Sequence, residues 1–356
     1  MPLTFEPVFL VTFIGGMNWT VGFLTTVAIF GILALALNLQ WGYAGVFNFG
    51  IVAFFMVGAY TSALLTLDPP GEFESYIGGW GLPILVGWLG GTVAGGTLAL
   101  LIGVPTLRLR RDFLAIATIG VAAILRSVAT SVDGFVNRAR GLNGIPRPLD
   151  QIVDSADYKW VLLVITLTML LAVYIVVSKA TASPWGRVLR AIRENEDTAR
   201  ATGKDTVSFR LQSFVLGGMI MGLAGAIWAH RMGTIAPDSF PDLFGTFLVW
   251  TMLIVGGSGN NRGAILGALL VGLFWFGTPL IQEDLPDMLG NRVFVLRQFA
   301  IGLLVVIFVL LRPEGVLREQ PRVSRFVASP PGSRCGGLRG LLARARSAGK
   351  ADASTS

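Results

Sequence analysis

The residue types that most often carry out catalysis are scarce in this chain of 356 residues. His230 is its one histidine, and Cys335 is its one cysteine. A single histidine provides neither a zinc site nor a catalytic triad, so we expect His230 to be a hydrogen-bonded structural residue. The phosphate-binding pattern Gly-x-x-x-x-Gly-Lys-Ser/Thr does not occur either. We therefore predict no catalytic residue, no metal site and no nucleotide site.

The densest group of charged side chains lies at about residues 179–208, here called the basic segment. Ser183 is placed to act as a helix N-cap, and Gly203 to end the helix. Three apolar residues would share one face of that helix at about 3.6 residues per turn, namely Val188, Ile192 and Ala199. The pattern predicts one amphipathic helix, which either covers a membrane surface or contacts another protein.

Four polar or charged side chains interrupt otherwise apolar segments, namely Asn38, Gln40, Asn48 and Arg126. The three amides are candidates for lining a polar route through those segments, and hydrogen bonding between helices is an equal alternative. Arg126 lies near the end of its segment, where an arginine usually extends its guanidinium towards water. The functional alternative is that Arg126 lines a pore as a cation.

Two glycine-rich blocks accompany the amides. Their members, which we expect to be structural, are Gly42, Gly45, Gly50, Gly256, Gly257, Gly259 and Gly263. Glycine permits tight turns and close helix contacts, and irregular backbone inside a membrane is tolerated where it lines a cavity. The blocks therefore predict bends in the chain beside the candidate route.

Composition identifies the elements that position these side chains as membrane helices. Of all residues, 53% are hydrophobic and only 14% are charged, whereas about 25% are charged in an average soluble protein. A charge at the centre of a bilayer costs about 2.5 kcal/mol or more, so charge-free stretches mark the segments that cross it. We predict an all-α, polytopic membrane helical bundle with nine spans, and eight or ten as the alternatives.

The predicted spans follow one another within a membrane domain of residues 1–312. They are Val21–Gln40, Phe47–Leu67, Leu82–Gly103, Phe113–Thr130, Trp160–Ser178, Phe209–His230, Leu243–Gly256, Gly263–Ile281 and Gln298–Leu311. A further apolar run, Val8–Ile14, is too short to cross securely. With nine spans the N-terminus lies outside the cell, and it would lie inside if Val8–Ile14 also crossed.

The distribution of lysine and arginine among the loops predicts the orientation. Residues 108–111, the basic segment and Arg262 form one set of basic loops, while the loop that begins at Asp68 has only acidic charges. Basic loops stay in the cytoplasm, so this set and the C-terminus are predicted to be cytoplasmic. Residues 313–356 carry eight basic and three acidic residues. They predict a disordered tail beside anionic lipid rather than a nucleic-acid site.

Six blocks of sequence, spread along most of the chain, carry a resemblance to a known family. The longest is Gly186-Arg-x-x-Arg-Ala-Ile-Arg-Glu-x-Glu-x-x-Ala-Arg-Ala-x-Gly203, in the basic segment. The others are Leu35–Gly50, Arg108–Thr118, Leu142–Pro146, Gly256–Gly267 and Leu311–Gly315. In their order along the chain, these six blocks resemble those of the permease subunits of branched-chain amino acid ATP-binding-cassette (ABC) importers. The chain departs from the family pattern at two places, Ala122-Ala123 and residues 138–141. Both concern which substrate is carried and leave the transporter class unchanged.

The resemblance implies that the basic segment is the loop through which a permease contacts its ATPases. The residues singled out in this loop are Gly186, Arg187, Arg190, Arg193, Glu194, Glu196, Asp197, Ala199 and Gly203. The resemblance also implies three kinds of partner: two ABC ATPase subunits, a second related permease subunit and an external substrate-binding protein. It places this chain in the bacterial inner membrane. ATP and Mg²⁺ would be bound by the ATPases, and no cofactor by this chain.

For the substrate, the resemblance favours leucine, isoleucine and valine. Urea or a short amide is the alternative, because urea permeases share the architecture and most of these motifs. A stand-alone secondary carrier or channel is the rival from a different class. Carriers coupled to ions usually place a carboxylate inside the membrane, whereas the acidic residues here fall in loops or at the edges of spans.

Overall fold

Helices form nearly all of the regular structure. The computed structural model describes residues 16–71, 75–107, 111–132, 136–150, 157–240, 242–281, 293–312 and 314–319. The helices in chain order are α1 (Gly16–Leu37), α2 (Ile51–Thr66), α3 (Ile84–Thr106), α4 (Arg111–Ser131), α5 (Tyr158–Ala182), α6 (Pro184–Glu194), α7 (Glu196–Ala201), α8 (Thr206–Met232), α9 (Asp242–Gly256), α10 (Asn261–Ile281) and α11 (Val293–Leu311). Helix α1 continues into a π-helical turn, Asn38–Tyr43. Two short strands, β1 (Leu142–Asn143) and β2 (Thr234–Ile235), pair antiparallel.

Each predicted span coincides with one of the nine longer helices among the described residues, which confirms a polytopic helical bundle. Six of these helices are long and apolar enough to cross a membrane: α1 with its π-helical turn, α3, α4, α5, α8 and α10. Helices α2, α9 and α11 supply shorter apolar stretches. The 16 residues of α2 measure about 24 Å, against a hydrocarbon core of about 30 Å. The count of nine spans is therefore not confirmed, and Val8–Ile14 lies outside the described residues.

Helices α2, α3 and α8 pack together through glycine, which brings their backbones into direct contact. A Cβ atom on Gly222 of α8 would lie 2.3 Å from the carbonyl oxygen of Gly91 in α3. A Cβ atom on Gly58 of α2 would lie 2.1 Å from the carbonyl oxygen of Gly222. Small residues at such contacts allow the close van der Waals packing that holds helices together in lipid. The high glycine content of the sequence is what permits these close contacts.

The loops gather at two ends of the bundle. At one end, Asn137 donates its backbone N–H to Ser75 (3.0 Å), and Leu142 of β1 lies opposite Ile235 of β2. At the other end, the π-helical turn, the basic segment and the turn between α9 and α10 contact one another. This second end therefore holds two of the loops whose basic charge predicted a common side, the basic segment and the turn that leads into Arg262.

Residues 314–319 pack onto the bundle rather than starting a separate tail. Val316 donates its backbone N–H to Val255 (2.9 Å), and Leu317 donates to Gly256 (3.0 Å). The compact unit accordingly extends to Glu319, seven residues beyond the predicted boundary at 312. Two ordered backbone hydrogen bonds to the end of α9 explain the difference, because local composition does not reveal such a contact. The rest of the predicted tail lies outside the described residues.

Candidate functional site

The basic segment forms two helices, α6 and α7, where the sequence pattern predicted one. The break falls at Asn195, which is extended (φ −152°, ψ 105°). Its side-chain oxygen accepts the backbone N–H of Thr198 (2.9 Å), and asparagine favours this capping role over a position inside a helix. Ser183 does occupy the N-cap position of α6, but its hydroxyl donates to the Ala180 carbonyl (2.7 Å) instead of capping.

Helix α6 is seated on the bundle by its apolar face. Leu189 and Ile192 are fully buried. Gly186 is buried as well, and a Cβ atom there would lie 2.3 Å from the carbonyl oxygen of Thr181 at the end of α5. Gly186 thus allows α6 to fold back tightly against α5. The predicted amphipathic character is present, although the buried face comprises these three residues rather than Val188, Ile192 and Ala199 of one continuous helix.

Helix α7 is anchored by Glu196, whose carboxylate faces inward. It accepts hydrogen bonds from Arg210 (3.3 Å), from Arg200 (3.1 Å) and from the Thr206 hydroxyl (3.2 Å). Arg210, in the second turn of α8, is only 4% exposed. Ala199 is 5% exposed and lies on the same inner side. Glu196 and Ala199 therefore hold α7 on the bundle, and neither offers a free surface to a partner protein.

Two arginines of α6 also point inward, towards the π-helical turn. The guanidinium of Arg190 lies over the ring of Tyr43, 5.7 Å from the ring centroid. Arg193 donates one guanidinium N–H to the Gly42 carbonyl and another to the Glu319 carboxylate (2.7 Å). These contacts connect the basic segment with the end of the first span and with the segment after the last one.

The remaining residues singled out in the basic segment lie on its outer surface. Arg187, Glu194 and Gly203 are exposed, and the side chain of Asp197 is 96% exposed. Gly203 adopts a left-handed conformation (φ +79°) and follows the end of α7, as the helix-stop prediction required. This end of the molecule thus presents a mixed-charge outer face on a firmly held two-helix segment.

The amides Asn38, Gln40 and Asn48 form a buried cluster at the base of the bundle. Asn38 donates to the side-chain oxygen of Asn261 (2.9 Å) and accepts the backbone N–H of Gly259 (2.8 Å). Asn48 donates to Gln40 (2.8 Å), which in turn donates to the Phe214 carbonyl (2.9 Å). Each of these three side chains is fully buried with partners inside the chain, an arrangement that favours the hydrogen-bonding alternative over a polar lining.

The glycine blocks permit the bends and contacts around this cluster. A Cβ atom on Gly42 would lie 2.1 Å from the side-chain oxygen of Asn38. A Cβ atom on Gly256 would lie 2.0 Å from the Gly263 carbonyl oxygen, where α9 and α10 meet. The block members with positive φ are Gly45 (+66°), Gly257 (+109°) and Gly259 (+79°). At Gly50, a Cβ atom would lie 2.5 Å from the Thr118 carbonyl oxygen.

Arg126 and His230 lie towards the opposite end of the bundle, away from the amide cluster. The guanidinium of Arg126 contacts the carboxylate of Asp238 (3.1 Å), and the arginine side chain is one-third exposed. His230 is fully buried, with Nε2 2.9 Å from the Ser62 hydroxyl and Nδ1 2.7 Å from the Pro146 carbonyl oxygen. Because a carbonyl only accepts, Nδ1 carries the proton and Ser62 donates to Nε2.

An apolar cavity of about 280 Å³ lies between α1, α2, α8, α9, α10 and α11. Six aromatic side chains line much of it, namely Phe30, Phe55, Trp228, Phe240, Trp275 and Phe276. Ser239 and Gln298 are its polar lining residues. The cavity suits an aliphatic group better than a strongly polar one.

The sequence profile of one protein family, described as "Branched-chain amino acid transport system / permease component", matches residues 19–311. The chain belongs to this family. The permease is 28% identical to the probable branched-chain amino acid transport permease protein LivM of Methanocaldococcus jannaschii, over 82% of this chain and 91% of the relative. It is 27% identical to the high-affinity branched-chain amino acid transport system permease protein LivM of Escherichia coli K12, over 84% and 70% of the two chains. No solved structure matches the permease significantly.

Family membership makes the chain a transporter permease and not an enzyme. Among the described residues, no group of three or more His, Cys, Asp or Glu side chains could hold a metal ion.

Sequence reasoning about the permease missed three features. Arg210 gave one local signal, because it is a charged residue one turn inside an apolar span. Glu319 gave none, since it falls in a stretch whose composition resembles a tail. The cavity draws its lining from seven separate parts of the chain, so no local pattern announces it.

Proposed function

We propose that the permease is one of the two membrane subunits of an ABC importer for leucine, isoleucine and valine. An external binding protein delivers the amino acid, and two ATPase subunits bind ATP and Mg²⁺ and drive the import. A second, related permease completes the membrane part. The single observation that carries the proposal is the basic segment, a two-helix element with a buried, hydrogen-bonded inner face and a charged outer face. The family match supports the same conclusion.

The structure of the basic segment suits a mechanical contact. Its outer face, with Glu194 and Asp197 at the junction of the two helices, is available to a groove on an ATPase. Its inner face is bonded to α8 through Glu196 and to the π-helical turn through Arg193. A displacement of the segment by the ATPase is therefore passed directly to two membrane helices. This chain needs no nucleotide site or cofactor of its own for that role.

The apolar cavity supports branched-chain amino acids over urea. Burying the side chain of leucine or isoleucine among aromatic and aliphatic groups contributes roughly 1.5–3 kcal/mol. Urea has polar N–H and C=O groups on every side, and each would lose its hydrogen bonds to water among these lining residues. A cavity of about 280 Å³ with this lining thus suits the aliphatic side chain of such a substrate, whose charged amino and carboxylate groups need polar partners outside it.

The proposed location is the bacterial inner membrane, with the end that holds the basic segment in the cytoplasm. The basic segment and Glu319 belong to that end, and lysine- and arginine-rich loops are retained on the cytoplasmic side. An ATPase that uses cytoplasmic ATP can reach the segment only from there.

Uptake by the reconstituted complex tests the proposal. The permease would be co-purified with the ATPase, second permease and binding protein of the same system and placed in proteoliposomes with ATP inside. We expect ATP-dependent uptake of radiolabelled leucine and no comparable uptake of urea. A complex whose ATPase cannot hydrolyse ATP is the matched control. Uptake of urea alone would favour the alternative substrate, and leucine flux through the permease without partners would favour a stand-alone carrier.

A further inference from the structure

Arg193 occupies a position between two acceptors that belong to distant parts of the chain. It lies in the last turn of α6. Its Nη1 donates to the Gly42 carbonyl on the π-helical turn, and its Nη2 donates to the Glu319 carboxylate at 2.7 Å. About a quarter of each side chain in this ion pair is exposed. The pair is therefore partly shielded from water, where a charge-assisted hydrogen bond retains more of its strength.

Glu319 is held in place by the backbone on its N-terminal side. Val316 and Leu317 donate to the carbonyls of Val255 and Gly256 at the end of α9. The side chain of Asn260, at the start of α10, donates to the Arg318 carbonyl (3.0 Å). These bonds fix the residues immediately before Glu319. Its carboxylate is therefore already positioned to accept the hydrogen bond from Arg193.

The other acceptor, the Gly42 carbonyl, belongs to a turn that contacts several helices. Next to it in the turn, Gln40 donates to the Phe214 carbonyl, and Leu39 accepts the hydroxyl of Ser213 (3.0 Å), both in α8. Asn38 bonds to Asn261 at the start of α10 (2.9 Å). A movement of Arg193 therefore acts on α1, α8 and α10 together through one carbonyl.

We propose that Glu319 is a positioning residue for energy coupling, which keeps Arg193 on the Gly42 carbonyl so that the basic segment and the π-helical turn move as one body. The inference rests on the proposed function and adds to it a residue from outside the basic segment. Without Glu319, the guanidinium loses one of its two acceptors and turns towards water. The ATPase then still contacts the basic segment, but less of its motion reaches the membrane helices.

The ratio of ATP hydrolysed to solute imported is the appropriate measurement, with whichever of leucine or urea the wild-type complex imports. In Glu319→Ala, we expect that ratio to rise about tenfold, the usual scale for loss of one charge-assisted hydrogen bond, while the ATPase still co-purifies. Glu314→Ala is the matched control, because Glu314 lies in the same short segment and pairs with the exposed Arg318. We expect the ratio to stay at the wild-type value in this control.

A double-mutant cycle distinguishes an action of Glu319 through Arg193 from a merely structural role of Glu319. If Glu319 acts through Arg193, adding Glu319→Ala to Arg193→Gln changes the ratio no further. An unchanged ratio in Glu319→Ala, effects that multiply in the double variant, or equal losses of uptake, hydrolysis and ATPase binding would each overturn the inference. If instead the wild-type complex shows no ATP-dependent uptake of either solute, it is the proposed function itself that fails.

Discussion

At the scale of single residues, the basic segment divides into inward and outward side chains. Glu196 and Ala199 face α8, whereas Asp197 between them points into solvent. Neighbours in sequence thus have opposite roles, because successive helical residues differ in direction by about 100°. The small size of Ala199, which suggested contact with a partner, instead allows α7 to approach the bundle.

Reversing the charge of Asp197 tests the outward face. In Asp197→Lys, we expect co-purification of the ATPase to fall about tenfold or more, because a like charge placed in a contact costs several kcal/mol. The thermal stability of the permease should stay within about 0.5 kcal/mol, as is usual for an exposed site. Pull-down in detergent, beside a melting curve, measures both quantities.

Two further variants interpret that result. Asp68→Lys makes the same charge change at an exposed site on the opposite end, and ATPase binding should be unaffected. Ala199→Glu places a charge in a buried position, so both stability and ATPase binding should decline. Equal ATPase binding by wild type and Asp197→Lys would show that the partner docks elsewhere.

At the scale of elements, close backbone contact determines how the helices assemble. Helices α2, α3 and α8 meet at glycines where a Cβ atom has no room. The break between α6 and α7 and the π-helical turn after α1 are likewise local departures from a regular helix. The first departure lets Asn195 cap the start of α7 through Thr198, and the second lets Asn38 reach Asn261 in α10.

Replacing Gly222 tests the central helix contact. In Gly222→Ala, the new methyl group would lie 2.3 Å from a backbone oxygen of α3, so the helices must separate. Overpacking of this kind costs about 1–3 kcal/mol, and we expect a lower melting temperature in detergent. Gly120→Ala is the control, since no atom lies within 4 Å of its added Cβ and alanine favours a helix. Equal melting temperatures for the two variants would contradict the packing argument.

At the scale of the whole molecule, the two ends of the bundle differ in the kind of contact they make. One end carries the basic segment, the amide cluster and the docked residues 314–319. The other carries the β1–β2 pair and the ion pair between Arg126 and Asp238. Under the proposed function, the first of these ends would face the ATPases and the second the binding protein.

Reporter fusions test this orientation. Fluorescent protein fused after Lys204 should fold and fluoresce, because it stays in the cytoplasm, whereas alkaline phosphatase at that position should be inactive. After Glu74 the two results should be exchanged. The prediction follows from the excess of lysine and arginine on the loops at one end. Active phosphatase after Lys204 would invert the orientation and remove the basis for ATPase docking.

The sequence by itself determined the class of the protein and the position of its helices. Hydropathy works for this purpose because each span contacts lipid or apolar neighbours along its own length, so the signal is local. The same holds for the helix start after Ser183 and the stop at Gly203. The motif blocks were sufficient to recognise the family, which the profile match then confirmed.

Only the tertiary structure decided which side chains meet. Arg193 and Glu319 are 126 positions apart, and Asn38 and Asn261 are 223 apart. No local pattern predicts such pairs, since hydrogen bonding depends on how the helices pack and not on the residues beside each partner. For the same reason, the inward turn of Glu196 and Ala199 and the aromatic cavity became visible only in the folded chain.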